Sequence, residues 1–208
     1  MIELYTWNTP NGRKVSIALE ELALPYRVHA IDIGKEQQFA AEFLAVSPNN
    51  KIPAIVDTDN GQRLMESGAI LIYLAEKTGR LLPTGQQRYD VMQWLMWQMG
   101  GFGPMLGQTH YFAHYNAGKS EFATARFVAE TQRLYAVLDR QLATNQYVTG
   151  DYSIADIAIW PWASRHEWQR VALQDFAHVL RWYREVGARP AVQRGYHVPA
   201  RVNEIPMP

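Results

Sequence analysis

The chain has 208 residues, 20 Lys plus Arg against 20 Asp plus Glu, and 48% hydrophobic composition. Zero net charge argues against a nucleic-acid partner, whose phosphates draw a basic excess. The longest uncharged apolar stretch, Ala69 to Ala75, is far too short to cross a bilayer, so no membrane role is expected. Cysteine is absent, which excludes disulfides, thiolate metal sites and a protein thiol nucleophile. Any redox chemistry on sulfur must therefore take every sulfur from substrates. No basic segment followed by an apolar run opens the chain, and with no cysteine to oxidise a reducing, cytoplasmic setting is expected.

The first 80 residues alternate between strand and helix patterns. Ile2 to Thr6 reads as a short strand. Asn11 and Gly12 open a helix whose apolar face is Val15, Ala18, Leu19 and Leu22, at the 3.6-residue period. Tyr26 to Asp32 alternates apolar and polar, as a half-buried strand does. A short helix over Ala40 to Leu44 follows. Ala54 to Asp57 and Gln62 to Met65 flank Asn60-Gly61, a strong hairpin signal. Ser67 starts an apolar helix ending near Lys77, with Gly79 placed as its C-cap. The order β-α-β-α-β-β-α predicts a thioredoxin-like domain over residues 1–80.

Leu81 to Gly85 reads as a linker, and beyond it strand signals vanish, predicting an all-helical domain over 86–208. Helix is expected from Gln87 to about Tyr115, interrupted at Gly100 to Pro104, and again from Ser120 to Leu142. Ser153-Ile154-Ala155-Asp156 has the form of a capping box, with Asp in place of the usual Glu. A last helix spans roughly Asp175 to Val186, and the Pro-containing tail from His197 is irregular.

Three stretches of the first domain could carry chemistry. Thr9-Pro10-Asn11-Gly12 precedes a helix, where free N–H groups and partial positive charge favour a thiolate; Thr9 and Asn11 could donate to the same sulfur, or Thr9 could simply cap the helix. Asn49 to Ala54 holds an Ile52-Pro53 bond. If it is cis, the Ile52 backbone is exposed as an edge that a peptide could pair with; if trans, Pro53 merely opens a strand. Glu66-Ser67-Gly68 could hold an α-amino acid end, Ser67 and the following N–H groups taking the carboxylate and Glu66 the ammonium. Ordinary capping explains the same residues. His110 and His114, four apart on a helix, lack a third ligand at a metal-site spacing, so no metal is expected. The seven Trp read as core or interface aromatics.

Taken together, Thr9 to Gly12, Ser47 to Val56, Glu66 to Ile70 and Ser153 to Asp156 resemble the glutathione transferases. Trp94 to Gln98, Gly100 to Gln108 and Glu130 to Tyr135 are similar to the bacterial nu class, which are glutathione-dependent disulfide-bond reductases. The resemblance covers about residues 2–196. It implies a cis Ile52-Pro53 bond, an Ile52 backbone paired with the cysteinyl unit of glutathione, and Glu66 and Ser67 on its γ-glutamyl end. Gln38 and Lys51 are implied near the glycine end. An Arg of the second domain is implied as a further contact, Arg126 by position, with Arg133 as the other possibility. It implies a homodimer, glutathione as cosubstrate, and no metal. The commoner classes contact the sulfur with Tyr, Ser or Cys. Here Thr9 and Asn11 occupy the loop, poor acids and bases suited to electrostatic support. Tyr5 falls within the first strand, where packing is its expected role. The expected activity is reduction of small disulfides with two glutathione molecules. The alternatives are conjugation to electrophiles, peroxide reduction, or a non-catalytic glutathione-binding scaffold.

Overall fold

Alternation of buried and half-buried residues places strand β1 (Ile2–Thr6) at the centre of a four-stranded sheet ordered β2-β1-β3-β4. The computed structural model describes all 208 residues. Strand β2 (Tyr26–Ala30) runs parallel to β1, with Ile2 opposite Tyr26 and Thr6 opposite Ala30. Strand β3 (Ala54–Asp57) is antiparallel to β1, Tyr5 facing Ala54. Strand β4 (Gln62–Met65) closes the expected hairpin, Ala54 facing Met65, and Gly61 takes the left-handed backbone its turn requires, φ 76°. β2 stops at Ala30 rather than Asp32, because the Asp32 carboxylate turns back to accept from Gly34 N and starts a short 3₁₀ turn, Ile33–Lys35.

Helix α1 (Pro10–Leu22) crosses the sheet between β1 and β2. Thr9 is its N-cap, extended at φ −120°, with Oγ1 accepting from Gly12 N at 3.1 Å. Pro10 begins the helix at the position where a missing N–H costs nothing. The first turn presses on the end of β1: a Cβ on Gly12 would lie 2.2 Å from Trp7 O and 2.5 Å from Thr6 Oγ1, so only glycine fits. Helix α2 (Ala41–Leu44) is one turn, pinned by buried Phe43. Helix α3 (Ser67–Thr78) packs on α1 and ends at Gly79, φ 67°.

The chain divides into two compact units. The first is Met1–Leu82 together with Ala188–Ile205; the second is Pro83–Gly187 with Pro206–Pro208. The expected helical domain 86–208 therefore gives up most of its tail to the first unit. The reason is a helix that sequence patterning missed, α9 (Pro190–Tyr196), packed against α1. At that crossing a Cβ on Gly195 would stand 2.6 Å from Ile17 Cα. Fully buried Arg13 lies with its guanidinium 3.5 Å above the Tyr196 ring, and donates to Tyr196 O at 3.0 Å and to Asn203 Oδ1 at 3.1 Å. Glu21 and Arg189 add a two-point ion pair, 2.6 and 3.0 Å.

In the second unit the helical run from Gln86 to Tyr115 is unbroken, where an interruption at Gly100 to Pro104 was expected. It comprises α4 (Gln86–Trp97), a π-helical turn over Gln98–Phe102, α5 (Gly103–Thr109) and a second π-helical stretch, His110–Tyr115. A proline inside a helix lacks one N–H and crowds the preceding turn; the wider π turn just before Pro104 absorbs both. Helix α6 (Glu121–Leu142) starts on the Ser120 cap and buries Thr131, Leu134, Tyr135, Leu138 and Leu142. Helix α7 (Ile154–Ala163) is the core helix, buried on nearly every face. Its capping box forms as the sequence predicts. Asp156 does more than cap, however. Oδ1 also accepts from Val148 N and from Trp182 Nε1, both at 2.9 Å. Helix α8 (Ala177–Gly187) supplies that Trp182 and packs on α6 and α7. No helix is long and apolar enough to cross a membrane.

Candidate functional site

Strand pairing alone brings four loops of the first unit to one end of its sheet. Thr6 pairs with Ala30, Tyr5 with Ala54, and Ala54 with Met65. The segment after β1 (Thr9, Asn11), the segment after β2 (Gln38), the segment before β3 (Lys51, Ile52) and the residues after β4 (Glu66, Ser67) therefore open on the same edge. Loops at one end of a rigid sheet are where ligand sites in such folds are built.

At this edge Asn11 stands half-buried in the first turn of α1. Thr9 Oγ1 is already an acceptor for Gly12 N, which leaves its hydroxyl hydrogen to donate. Both readings of Thr9, cap and donor, are thus compatible in one side chain. Gln38 lies in the 3₁₀ turn Gln37–Phe39; its Oε1 is buried and has no hydrogen-bond partner in the protein. Buried polar atoms are nearly always paired, so this acceptor is one that a partner from outside the protein could satisfy. Lys51 is exposed, and its main-chain O accepts from Ser47 Oγ at 2.8 Å, which holds the loop in shape. Ile52-Pro53 is cis, and the β ladder ends at Ala54, so the Ile52 main chain lies past the last paired residue.

Ser67 is not the N-cap of α3 that the sequence suggests. It is the first helical residue, and Glu66 occupies the cap position with φ 71°, ψ 110° and no side-chain cap bond. Left-handed backbone at a non-glycine residue is costly, and such outliers concentrate at ligand sites. Glu66 is exposed while Ser67 is 4% exposed, with Oγ accepting from Lys14 Nζ at 3.3 Å. Lys14 itself, 1% exposed, escaped the sequence reading because lysines are normally solvated. Its position carried the signal: Lys14, Ala18 and Leu22 are spaced by four, one row of the buried face. Tyr5, the decoy in β1, stacks on His29 with ring centroids 4.5 Å apart.

The second unit holds Arg126, on α6. It lines a groove of about 670 Å³ with Met105, Phe122, Ala125, Ala129 and Arg133. Arg133 is committed to Glu130 through two bonds of 2.8 and 2.7 Å, whereas no ion pair engages Arg126. The His110 and His114 rings are occupied by packing: His110 stacks on Trp162 and pairs Nε2 with Gln169 Nε2 at 3.1 Å, and His114 stacks on Trp168 at 4.3 Å. Burial, then Arg165 and His114, push His110 down to about 4. Tyr135 donates to Gln169 Oε1 at 2.6 Å, completing a buried chain from α6 to the π-helical stretch.

Comparison with known proteins gives this geometry its context. The family model described as glutathione S-transferase, N-terminal domain, matches residues 4–81, and that of the C-terminal domain matches residues 102–190. The disulfide-bond oxidoreductase YfcG of Escherichia coli is 50% identical over 198 residues, covering 92% of each chain. YghU of the same organism, also a disulfide-bond oxidoreductase, is 43% identical over 93% of this chain and 73% of its own. A glutathione transferase crystal structure from Burkholderia graminis superposes with a TM-score of 0.90 at 46% identity, covering 96% of this chain and 89% of that one. It holds two glutathione molecules per subunit. Another, from Pseudomonas putida, superposes at 0.88 with 46% identity, covering 96% and 92%, and holds one glutathione disulfide per subunit. With both halves of the family pattern present and half of the aligned positions shared with YfcG, the chain belongs to the glutathione transferase family.

Proposed function

We propose that this protein reduces small disulfides with two molecules of glutathione. The observation that carries the reading is the pairing of a cysteine-free chain with a helix N-terminus that opens on Thr9 and Asn11, side chains that can donate but are poor acids and bases. Such a site stabilises a thiolate without supplying a nucleophile or a general base. Thiol–disulfide exchange needs nothing more, because the attacking thiolate belongs to the cosubstrate. The first glutathione thiolate attacks one sulfur of the substrate disulfide and expels the other as a thiolate. A second glutathione thiolate then attacks the mixed disulfide at the glutathione sulfur. Oxidised glutathione leaves, together with the reduced substrate. The two-glutathione and glutathione-disulfide occupancies seen in related structures are the composition of reactants and product of this sequence.

In this reading Asn11 and Thr9 face the sulfur, Ile52 pairs by its main chain with the cysteinyl unit, and Glu66 and Ser67 hold the γ-glutamyl end. Gln38, through its orphaned Oε1, and Lys51 serve the glycine end. Arg126, rather than the Glu130-bound Arg133, is the second unit's contribution. The protein acts as a homodimer, a role suited to the 83% exposed Phe122 that lines the α6 groove, and works in the cytoplasm, where reduced glutathione is supplied.

The test is a pair of coupled assays. Glutathione-dependent reduction of a small hydroxyalkyl disulfide is expected to exceed conjugation of a chlorinated nitrobenzene. Fast conjugation without disulfide reduction would replace this reading with an electrophile transferase. Tight glutathione binding with neither activity would replace it with a scaffold.

A further inference from the structure

The chain holds two Asn-Gly pairs, Asn11-Gly12 and Asn60-Gly61. This dipeptide is prone to lose its side-chain amide, because glycine has no Cβ to shield its nitrogen. The glycine nitrogen attacks the asparagine Cγ, giving its proton to a base from solvent. The Cγ–Nδ2 bond breaks, ammonia leaves and a cyclic imide closes. Water then opens the ring at either carbonyl, leaving aspartate or a backbone rerouted through the side chain (isoaspartate). Nothing is oxidised or reduced, and water is the only co-reactant.

The fold treats the two pairs differently. Gly12 is buried in the first turn of α1, where its N–H donates to Thr9 Oγ1 and a Cβ would strike Trp7 O. Asn60 and Gly61 are exposed at the tip of the β3-β4 hairpin, and no atom lies within 4 Å of the point a Gly61 Cβ would occupy. Water and base therefore reach the second pair and not the first.

Hydrogen bonds hold Asn60 in place. Oδ1 accepts from Gln62 N at 3.0 Å, and Nδ2 donates to Tyr73 Oη of α3 at 3.0 Å. The Gly61 N–H, whose proton the reaction must remove, donates to Asp57 O at 2.8 Å. Tyr73 gives its own hydrogen to Asp57 Oδ2 at 2.5 Å, so toward Asn60 it can only accept. Closing the ring turns the Asn60 amide toward Gly61 N and gives up the bond to Tyr73. The product fits this corner poorly. A carboxylate at position 60 has no hydrogen for Tyr73. It also adds a third acid to Asp57 and Asp59, which Lys77 Nζ already serves at 2.6 and 2.9 Å, with the Met1 ammonium 2.6 Å from Asp59.

We propose that Asn60-Gly61 is a deamidation site at the tip of the β3-β4 hairpin, and that the Tyr73 hydroxyl, oriented by Asp57, is the contact that slows it. The inference stands apart from the glutathione reading. It makes the hairpin a place where the protein gains negative charge with age.

The test uses the whole chain, Tyr73→Phe and Asn60→Asp. The unmodified protein and Tyr73→Phe are incubated at neutral and mildly alkaline pH, and peptide masses report amide loss at Asn60 and Asn11 separately. Asn60 is expected to convert well ahead of Asn11, and faster at the higher pH. Tyr73→Phe is expected to convert Asn60 roughly fivefold faster, the rate equivalent of one hydrogen bond, and to leave Asn11 at its former rate. Asn60→Asp, which reproduces the aspartate product, is expected to melt about 2–4 °C below the unmodified protein. Asn11 converting as fast as Asn60 in the unmodified protein overturns the site. An unchanged Asn60 rate in Tyr73→Phe overturns the role of the hydroxyl. Equal acceleration at Asn11 and Asn60 overturns it too, because the variant is then opening as a whole. An Asn60→Asp protein that melts with the unmodified one overturns the poor fit of the product.

Discussion

Asp156 offers a stability prediction whose size can be worked from its bonds. The carboxylate is fully buried and accepts four hydrogen bonds: Val148 N and Trp182 Nε1 on Oδ1, Ser153 N and Ser153 Oγ on Oδ2. Burial pushes its pKa up to about 6 against these donors. Asp156→Ala strands three N–H donors that have no other use, each worth about 1–3 kcal/mol when buried and unpaired. Allowing for relaxation, the loss is about 3–5 kcal/mol. Asp156→Asn separates the two oxygens. An amide NH₂ at Oδ1 would oppose two N–H donors, so it turns to Oδ2, where Ser153 Oγ can accept and only Ser153 N–H is stranded. The expected cost is then about 1–3 kcal/mol. At about 2–4 °C per kcal/mol for a chain of this size, Asp156→Ala lowers the melting temperature by on the order of 10 °C, and Asp156→Asn by roughly half of that. Thermal and urea unfolding measure both. A loss under about 1 kcal/mol in the Ala variant, or equal losses in the two, would refute this account of the capping box as a four-donor hub.

Glu66→Ala and Ser67→Ala are each expected to weaken glutathione binding by about 1.5–3 kcal/mol, the worth of a hydrogen bond to a charged group; calorimetry showing neither effect removes the γ-glutamyl assignment. Asn11→Ala should raise the pKa of the bound glutathione thiol by about one unit, near 1.36 kcal/mol, and slow disulfide reduction at neutral pH while changing affinity less. Thiolate absorbance titration of the complex reads this directly, and an unchanged titration assigns the effect to Thr9 or the helix terminus. His110 is held neutral by burial, with a pKa of about 4 against 6.5 in the unfolded chain. Its contribution is therefore fully present above pH 6.5 and lost as pH falls toward 4, by at most about 3 kcal/mol. Urea midpoints should fall across that window, and His110→Gln, which keeps an acceptor for Gln169, should flatten the slope; an unchanged slope shows that another group titrates.

Where a local rule and tertiary structure agree, the sequence was enough. Asn60-Gly61 between two short apolar runs specified the β3-β4 hairpin, and Ser153 with Asp156 specified the start of α7. The site's loops were legible for the same reason, since Thr9 and Pro10 form a cap and first turn whatever surrounds them. Elsewhere distant contacts decide. No local pattern marks α9, where Gly195 is the residue that admits the Ile17 backbone. Gly100 to Pro104 reads as a break, yet π geometry carries the helix through. Ser67 has cap chemistry, but strained Glu66 takes the cap position and leaves the serine to Lys14. Nothing local marks Lys14 as interior except its place in the row of Ala18 and Leu22.

The return of Ala188–Ile205 to the first unit has a consequence for biosynthesis. A growing chain that has only reached the linker holds all four strands of the sheet, but Arg13 still lacks the Tyr196 carbonyl and Asn203, and Glu21 lacks Arg189. The apolar α1 surface that α9 covers is equally bare. The ribosome must deliver the whole intervening helical unit before the first can close. The segment made first is therefore completed only near the end of synthesis, and a shortened chain ending before Pro190 exposes the α1 flank to chaperones and proteases.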